Sequence, residues 1–156
     1  MPGDPHAWLL YQDDTLLVIN KPAGLPTVPD GYQPAAPHLA GLLREAFGPL
    51  WVVHRLDKET SGVIVLARTA EAHRDLNRQF REHVITKVYH ALVVGQPAWD
   101  ECTIDLPLRA DGDRRHRTVV DRARGKPSLT VCRVLQRLED AALVEARPQT
   151  GRPHQI

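Results

Sequence analysis

The longest strongly apolar run in this chain of 156 residues is GVIVLA, residues 62–67, and that shortness decides much of what the chain can become. A helix crossing a bilayer needs ~18–20 apolar residues, so none is encoded. Six residues suit a strand instead, and similar short runs recur at intervals bounded by proline, glycine and charged residues. With 42% hydrophobic and 25% charged residues, the composition is that of a folded globular chain and excludes collagen, low complexity and wholesale disorder. One domain of this length buries roughly two thirds of the surface its unfolded chain exposes, and a single domain over residues 1–156 is the expectation.

Leu16–Asn20 reads as a strand running into a loop that carries five prolines and two glycines between Pro22 and Pro37. His38–Phe47 places Leu39, Leu42, Leu43 and Phe47 on one helical face, and Gly48-Pro49 stops it. Trp51–His54 and Gly62–Arg68 read as strands flanking a polar connection, and Ala70–His83 reads as a surface helix with a modest apolar face. Val88–Gly95, Cys102–Leu108, Ser128–Leu138 and Ala141–Arg147 read as further strands, the last two joined through Glu139-Asp140 as a hairpin. Helices fall between groups of strands rather than alternating with each one. The pattern predicts an α+β fold with a mixed, largely antiparallel sheet flanked by helices and loops. Pro153 suits a helix start. The chain stops there, so it is expected to be incomplete at its C-terminus.

A formal net charge of +1 hides an asymmetry: residues 1–78 sum to −2 and residues 79–156 to +3. The window Arg109–Arg133 holds 8 basic against 3 acidic residues, and arginine outnumbers lysine 16 to 4 in the chain. Arginine is the better fork for phosphate and stacks on bases. A basic stripe on a near-neutral chain fits a polyanion, and a solvated surface loop explains it equally well. Cys102 and Cys132 form neither a disulfide framework nor a metal set. The opening Met1-Pro2-Gly3-Asp4-Pro5 lacks the pattern of a secretory signal, so the expected address is a reducing cytoplasm. No histidine falls in His-Glu-x-x-His or Cys-x-x-Cys company, and neither a phosphate loop nor a dinucleotide fingerprint is present. Neither metal nor cofactor is expected.

What remains is His54-Arg55-Leu56-Asp57-Lys58-Glu59-Thr60-Ser61-Gly62, wedged between two apolar strands. Polar groups at the mouth of a sheet are where sites tend to be built. Residues two apart on an extended segment share a face, so Arg55 and Asp57 can point the same way. An aspartate kept ionised by a nearby arginine suits nucleophilic or base chemistry at neutral pH. On residue chemistry alone the segment reads first as a surface turn whose Asp and Thr cap local backbone.

The string HRLDKETSG followed by VIVLAR resembles the signature of the RluA-type pseudouridine synthases, in which the aspartate is catalytic. Residues 14–25, DTLLVINKPAGL, resemble that family's opening strand and Asn-Lys-Pro-x-Gly loop. KVYHALVVG at 87–95 resembles its Lys-x-Tyr-x-Ala motif, and TGRPHQI at 150–156 the start of its TGR-x-HQIR motif. The four motifs stand in the family's order and span about residues 8–156.

The resemblance implies a pseudouridine synthase catalytic-domain fold without an S4 domain, incomplete at the C-terminus, acting on structured RNA (rRNA or tRNA). It implies catalysis by Asp57, a flipped uridine whose vacancy Arg55 fills, Tyr89 packed against the target base and Ile156 lining its pocket. Arg152 and His154 either contact phosphate or brace their turn, and a strand aromatic packed in the core is the plainer reading of Tyr89. His54 and Thr60 orient the loop. The family's motif continues beyond Ile156 with a basic residue that pairs with the aspartate, and Pro153 stands where Thr is usual. A monomeric enzyme is expected; an inactive, truncated RNA-binding remnant is the alternative.

Overall fold

The computed structural model describes residues 3–31 and 33–156. Met1-Pro2 of the opening segment and Tyr32 of the proline-rich loop lie outside the described residues. Backbone contacts divide the chain into two compact units, Met1–Val84 and Ile85–Ile156.

The first unit begins with a 3₁₀ turn, Pro5–Trp8, capped by the Asp4 carboxylate, which accepts the His6 N–H at 2.9 Å. Strands β1 (Leu9–Gln12) and β2 (Leu16–Lys21), helix α1 (Leu39–Phe47), strands β3 (Trp51–Val52) and β4 (Gly62–Ala67), and helix α2 (Ala70–Arg81) follow. The sheet runs β1-β2-β4-β3, every pairing antiparallel. Leu17 opposite Leu66, and Ile19 opposite Ile64, put four fully buried aliphatic side chains on one face. Leu39 and Leu43 of α1 are fully buried as well, while Leu42 and Phe47, expected on the same face, are half-buried. The helix ends because Gly48 takes φ 83°, a left-handed conformation that costs glycine little. Thr69 caps α2 by accepting the Ala72 N–H at 3.1 Å, and α2 buries no residue fully, as a surface helix should.

The second unit holds β5 (Tyr89–Val94), β6 (Glu101–Asp105), β7 (Leu108–Arg109), β8 (Val119–Val120), β9 (Leu129–Arg137) and β10 (Ala141–Pro148). Its main sheet runs β5-β10-β9-β6, again antiparallel throughout, and β7-β8 form a separate two-stranded ribbon. Its core is small: Cys132, Ala142, Val144 and Ala146, with Tyr89, Val93, Trp99, Cys102 and Val134 packed against them. The ribbon that carries the arginine-rich window is ordered by two aspartates. Asp113 accepts the N–H groups of Arg115 and Arg117, and Asp121 those of Ala123 and Arg124. Gly125 is required there, because an added Cβ would stand 2.4 Å from the Asp121 carbonyl oxygen.

The α+β class and the largely antiparallel pairing thus match expectation, while several elements differ: β1 was not expected, and the strand expected over Cys102–Leu108 ends at Asp105, with Leu108 in β7. The strand expected over Trp51–His54 stops at Val52, and Pro153 opens no helix; it sits in a turn. The turn between β1 and β2 is built on Asp13, whose carboxylate accepts from Thr15 N, Thr15 Oγ1, Leu16 N and Tyr11 Oη. Those hydrogen bonds, Thr15 first, hold its pKa well below the carboxylate value of 3.8. A carboxylate stabilised in the folded state contributes above its unfolded pKa, and the contribution is lost as pH falls through the lower folded value. Denaturant titrations from pH 7 to pH 2 should therefore show the parent losing stability below about pH 4, with a shallower loss in Asp13→Asn.

Candidate active site

The segment from His54 to Ser61 leaves β3 and returns into β4 without regular structure of its own. It is held by the loop that follows β2. The Thr27 side chain, almost fully buried, donates through Oγ1 to the Leu56 carbonyl at 2.7 Å and accepts the Leu56 N–H at 3.2 Å. The Gly24 N–H donates to the Lys58 carbonyl at 2.8 Å. Lys21 is 0% exposed, and its Nζ donates to the carbonyls of Leu25 (2.7 Å), Pro22 (2.9 Å) and Lys58 (3.2 Å). An ammonium has three protons and no acceptor, so three carbonyls satisfy it. Burial lowers the Lys21 pKa, and the carboxylates of Glu59 and Asp57 oppose that shift. Lys21 is thus a buried cation in the field of Asp57.

Leu56 is buried at 7% exposure, whereas Arg55 before it is exposed and Asp57 after it is half-buried. That alternation is what an extended segment produces, and it turns Arg55 and Asp57 away from the core that takes Leu56. Thr60 returns its N–H to the Asp57 carbonyl at 3.1 Å, closing the turn through Lys58 and Glu59. His54 stands at the loop's entry. Its Nε2 accepts the Val65 N–H at 3.1 Å, and its ring stacks on Phe80 with centroids 4.5 Å apart. An accepting Nε2 belongs to a ring whose proton is on Nδ1. His54 therefore orients the loop against β4 and α2.

In the second unit, Tyr89 begins β5 opposite Ala146, half-buried against the small apolar core. Two residues earlier, Lys87 Nζ donates to the Thr150 carbonyl at 2.9 Å, which joins the KVY segment to the TGR segment. Gln155 closes the latter into a compact turn. Its Oε1 accepts from Thr150 Oγ1 and from the Arg152 N–H, both at 2.9 Å, while its Nε2 donates to the Leu129 carbonyl and to Thr130 Oγ1. Arg152 Nε donates to the Pro127 carbonyl at 2.8 Å, so its guanidinium braces this turn. Ile156 is 48% exposed. Exposed guanidinium and ammonium groups of Arg114, Arg115, Arg117, Arg122, Arg124 and Lys126 crowd the ribbon above Pro127 in sequence.

Arg55 and Asp57 thus share one loop of the first unit, and Tyr89, Arg152 and Ile156 belong to the second. Reading residues for chemistry overlooked Lys21, Thr27, Lys87 and Gln155, whose side chains bond to backbone groups and, for Gln155, to the hydroxyls of Thr150 and Thr130 as well. Their signal was present: a lysine closing an apolar strand directly before Pro-Ala-Gly has little reason to be there unless its charge is used inside.

The antiparallel sheets and flanking helices of this chain are also those of solved pseudouridylate synthase domains. The model for the RNA pseudouridylate synthase family matches residues 15–156, and the chain belongs to that family. It is of the RluA type. It is 41% identical over 156 residues to the dual-specificity RNA pseudouridine synthase RluA of Escherichia coli (strain K12), covering 99% of this chain and 71% of that protein. The RluA of Pasteurella multocida (strain Pm70) is 40% identical over the same coverage. Among solved structures, human RNA pseudouridylate synthase domain containing 4 superposes with a TM-score of 0.77 at 32% identity. That match covers 97% of this chain and 62% of the human one, so the chain spans less than two thirds of that relative's length.

Substituting Thr27→Val keeps the shape and deletes the clamp, leaving the buried N–H and C=O of Leu56 unpaired. The expected cost is about 1–3 kcal/mol for an orphaned buried group, read as a lowered denaturation midpoint. Lys21→Met, which strands three carbonyls, should cost at least as much.

Proposed function

We propose that this chain carries the catalytic domain of an RNA pseudouridine synthase, isomerising a uridine of rRNA or tRNA to its C-glycoside with Asp57 as the catalytic group. The observation that carries the reading is the held loop. Leu56, next to Asp57, is anchored by Thr27, and the buried ammonium of Lys21 holds the Lys58 carbonyl on the other side of Asp57. A carboxylate oxygen is the group able to attack the sugar or to take its proton.

The target base must leave its stack before any side chain reaches C1′ or C6, so the nucleotide is flipped and a side chain takes its place. Arg55, exposed and on the same side of the segment as Asp57, fills that role. The glycosidic C1′–N1 bond then breaks, the freed uracil turns in its pocket, and a C1′–C5 bond forms while C5 gives up its proton and N1 gains one. The reaction is a neutral isomerisation in which no electron is gained or lost, so its balance requires no redox partner. Tyr89 packs against the base, Ile156 lines the pocket, and Arg152 stabilises the turn that presents Ile156. The arginines of the ribbon contact phosphates, with RNA shape rather than groove reading setting the site. A monomer in the cytoplasm is the working form. No helix among the described residues is long and apolar enough to cross a membrane.

Asp57→Asn preserves volume and removes the carboxylate. Pseudouridine mapping of tRNA and rRNA fragments incubated with each protein should show a loss of at least about 10³-fold for the variant, with RNA affinity in a filter-binding assay within twofold of the parent. Equal pseudouridine formation by parent and variant would overturn the role of Asp57.

A further inference from the structure

The chain contains two cysteines, Cys102 and Cys132, and the fold sets them opposite one another. Cys102 on β6 is the direct register partner of Cys132 on β9. The ladder fixes the kind of pair as well. At one end Leu106 N donates to the Ser128 carbonyl, and at the other Val134 N donates to the Asp100 carbonyl. Hydrogen-bonded pairs alternate along an antiparallel ladder, which makes 102/132 a hydrogen-bonded pair with Cα atoms about 5.5 Å apart. Disulfides span Cα separations of about 4.4–6.8 Å, so the backbone already stands where a bridge needs it. Both side chains lie on the face that packs the small core of the second unit. Both are free thiols, Cys102 half-exposed and Cys132 6% exposed.

We propose that Cys102 and Cys132 are a redox pair that closes a reversible cross-strand disulfide between β6 and β9 when the protein meets a peroxide. The more exposed Cys102 reacts first: its sulfur takes one oxygen from hydrogen peroxide, giving a sulfenic acid and releasing water. The Cys132 sulfur then attacks that sulfur, the S–O bond breaks, an S–S bond forms and a second water leaves. Overall two thiols and one peroxide give one disulfide and two waters, and the peroxide accepts the two electrons. Burial raises the Cys132 thiol pKa, and the Cys102 thiol, within hydrogen-bonding reach, raises it further, which fits Cys132 as the resolving partner. The bridge closes a ring of about 30 residues. That ring contains the whole β7–β8 ribbon, so oxidation ties the base of the arginine-rich stretch.

The test uses the full chain, reduced, desalted and exposed to hydrogen peroxide without denaturant. The expected result is a monomer lighter by about 2 Da with both thiols lost to titration and both recovered by dithiothreitol. Under the same dose Cys102→Ala should keep its single buried thiol. Mass gains of about 16, 32 or 48 Da without loss of the second thiol, disulfide-linked dimers, or an unchanged protein would each overturn the proposal. Equal oxidation of Cys132 in Cys102→Ala would overturn the order of reaction.

Discussion

A single ammonium organises the two loops of the first unit. Lys21 follows Leu17 and Ile19 on the buried face of β2, and its three protons are taken by three carbonyls, two from its own loop and one from the aspartate loop. Charge-assisted hydrogen bonds of this kind are stronger than neutral ones, and a buried cation left without them would be very costly. The two loops therefore order together. Gly24 and Thr27 add bonds between the same partners, so the loop that carries Asp57 has its backbone secured although it has no ladder of its own.

The second unit solves a different problem with the same means. Its apolar core is little more than three alanine- and valine-sized side chains and a cysteine, and polar side chains that bond to backbone supplement it. Gln155 satisfies four groups at once, and Thr150 and Lys87 link two segments distant in sequence. In the ribbon, aspartates hold the turns and also pair with Arg117 and Arg109, while Arg114, Arg115, Arg122 and Arg124 are exposed.

Much of this was legible in the sequence because strand pattern and turn chemistry agree. Leu16–Asn20, Gly62–Arg68 and the hairpin through Glu139-Asp140 fall within a residue or two of β2, β4 and β9–β10. Strand β1 was not legible: Leu9, Leu10, Tyr11 and Gln12 are all exposed, so no alternation marks them, and pairing to β2 alone makes the strand. The start of a helix at Pro153 failed because His154 takes φ 52°, outside the right-handed helical region, and the segment closes as a turn in which the Gln155 N–H donates to the Arg152 carbonyl. At the site, Asp57 stood out by its company, whereas Lys21, an ordinarily exposed residue type, was marked only by its place at the end of an apolar strand before Pro-Ala-Gly. The facing of Cys102 and Cys132 was equally invisible, because register depends on hydrogen bonding between strands thirty residues apart.

Leu56 lies between the guanidinium of residue 55 and the carboxylate of residue 57, with its backbone gripped on both sides by one hydroxyl. Orientation in such a stretch is a matter of parity: odd positions look one way and even positions the other. Inserting or deleting one residue between Val52 and Leu56 would swap the assignments, sending the acid inward and the anchor out. This stretch can therefore drift in composition over evolutionary time far more easily than in length.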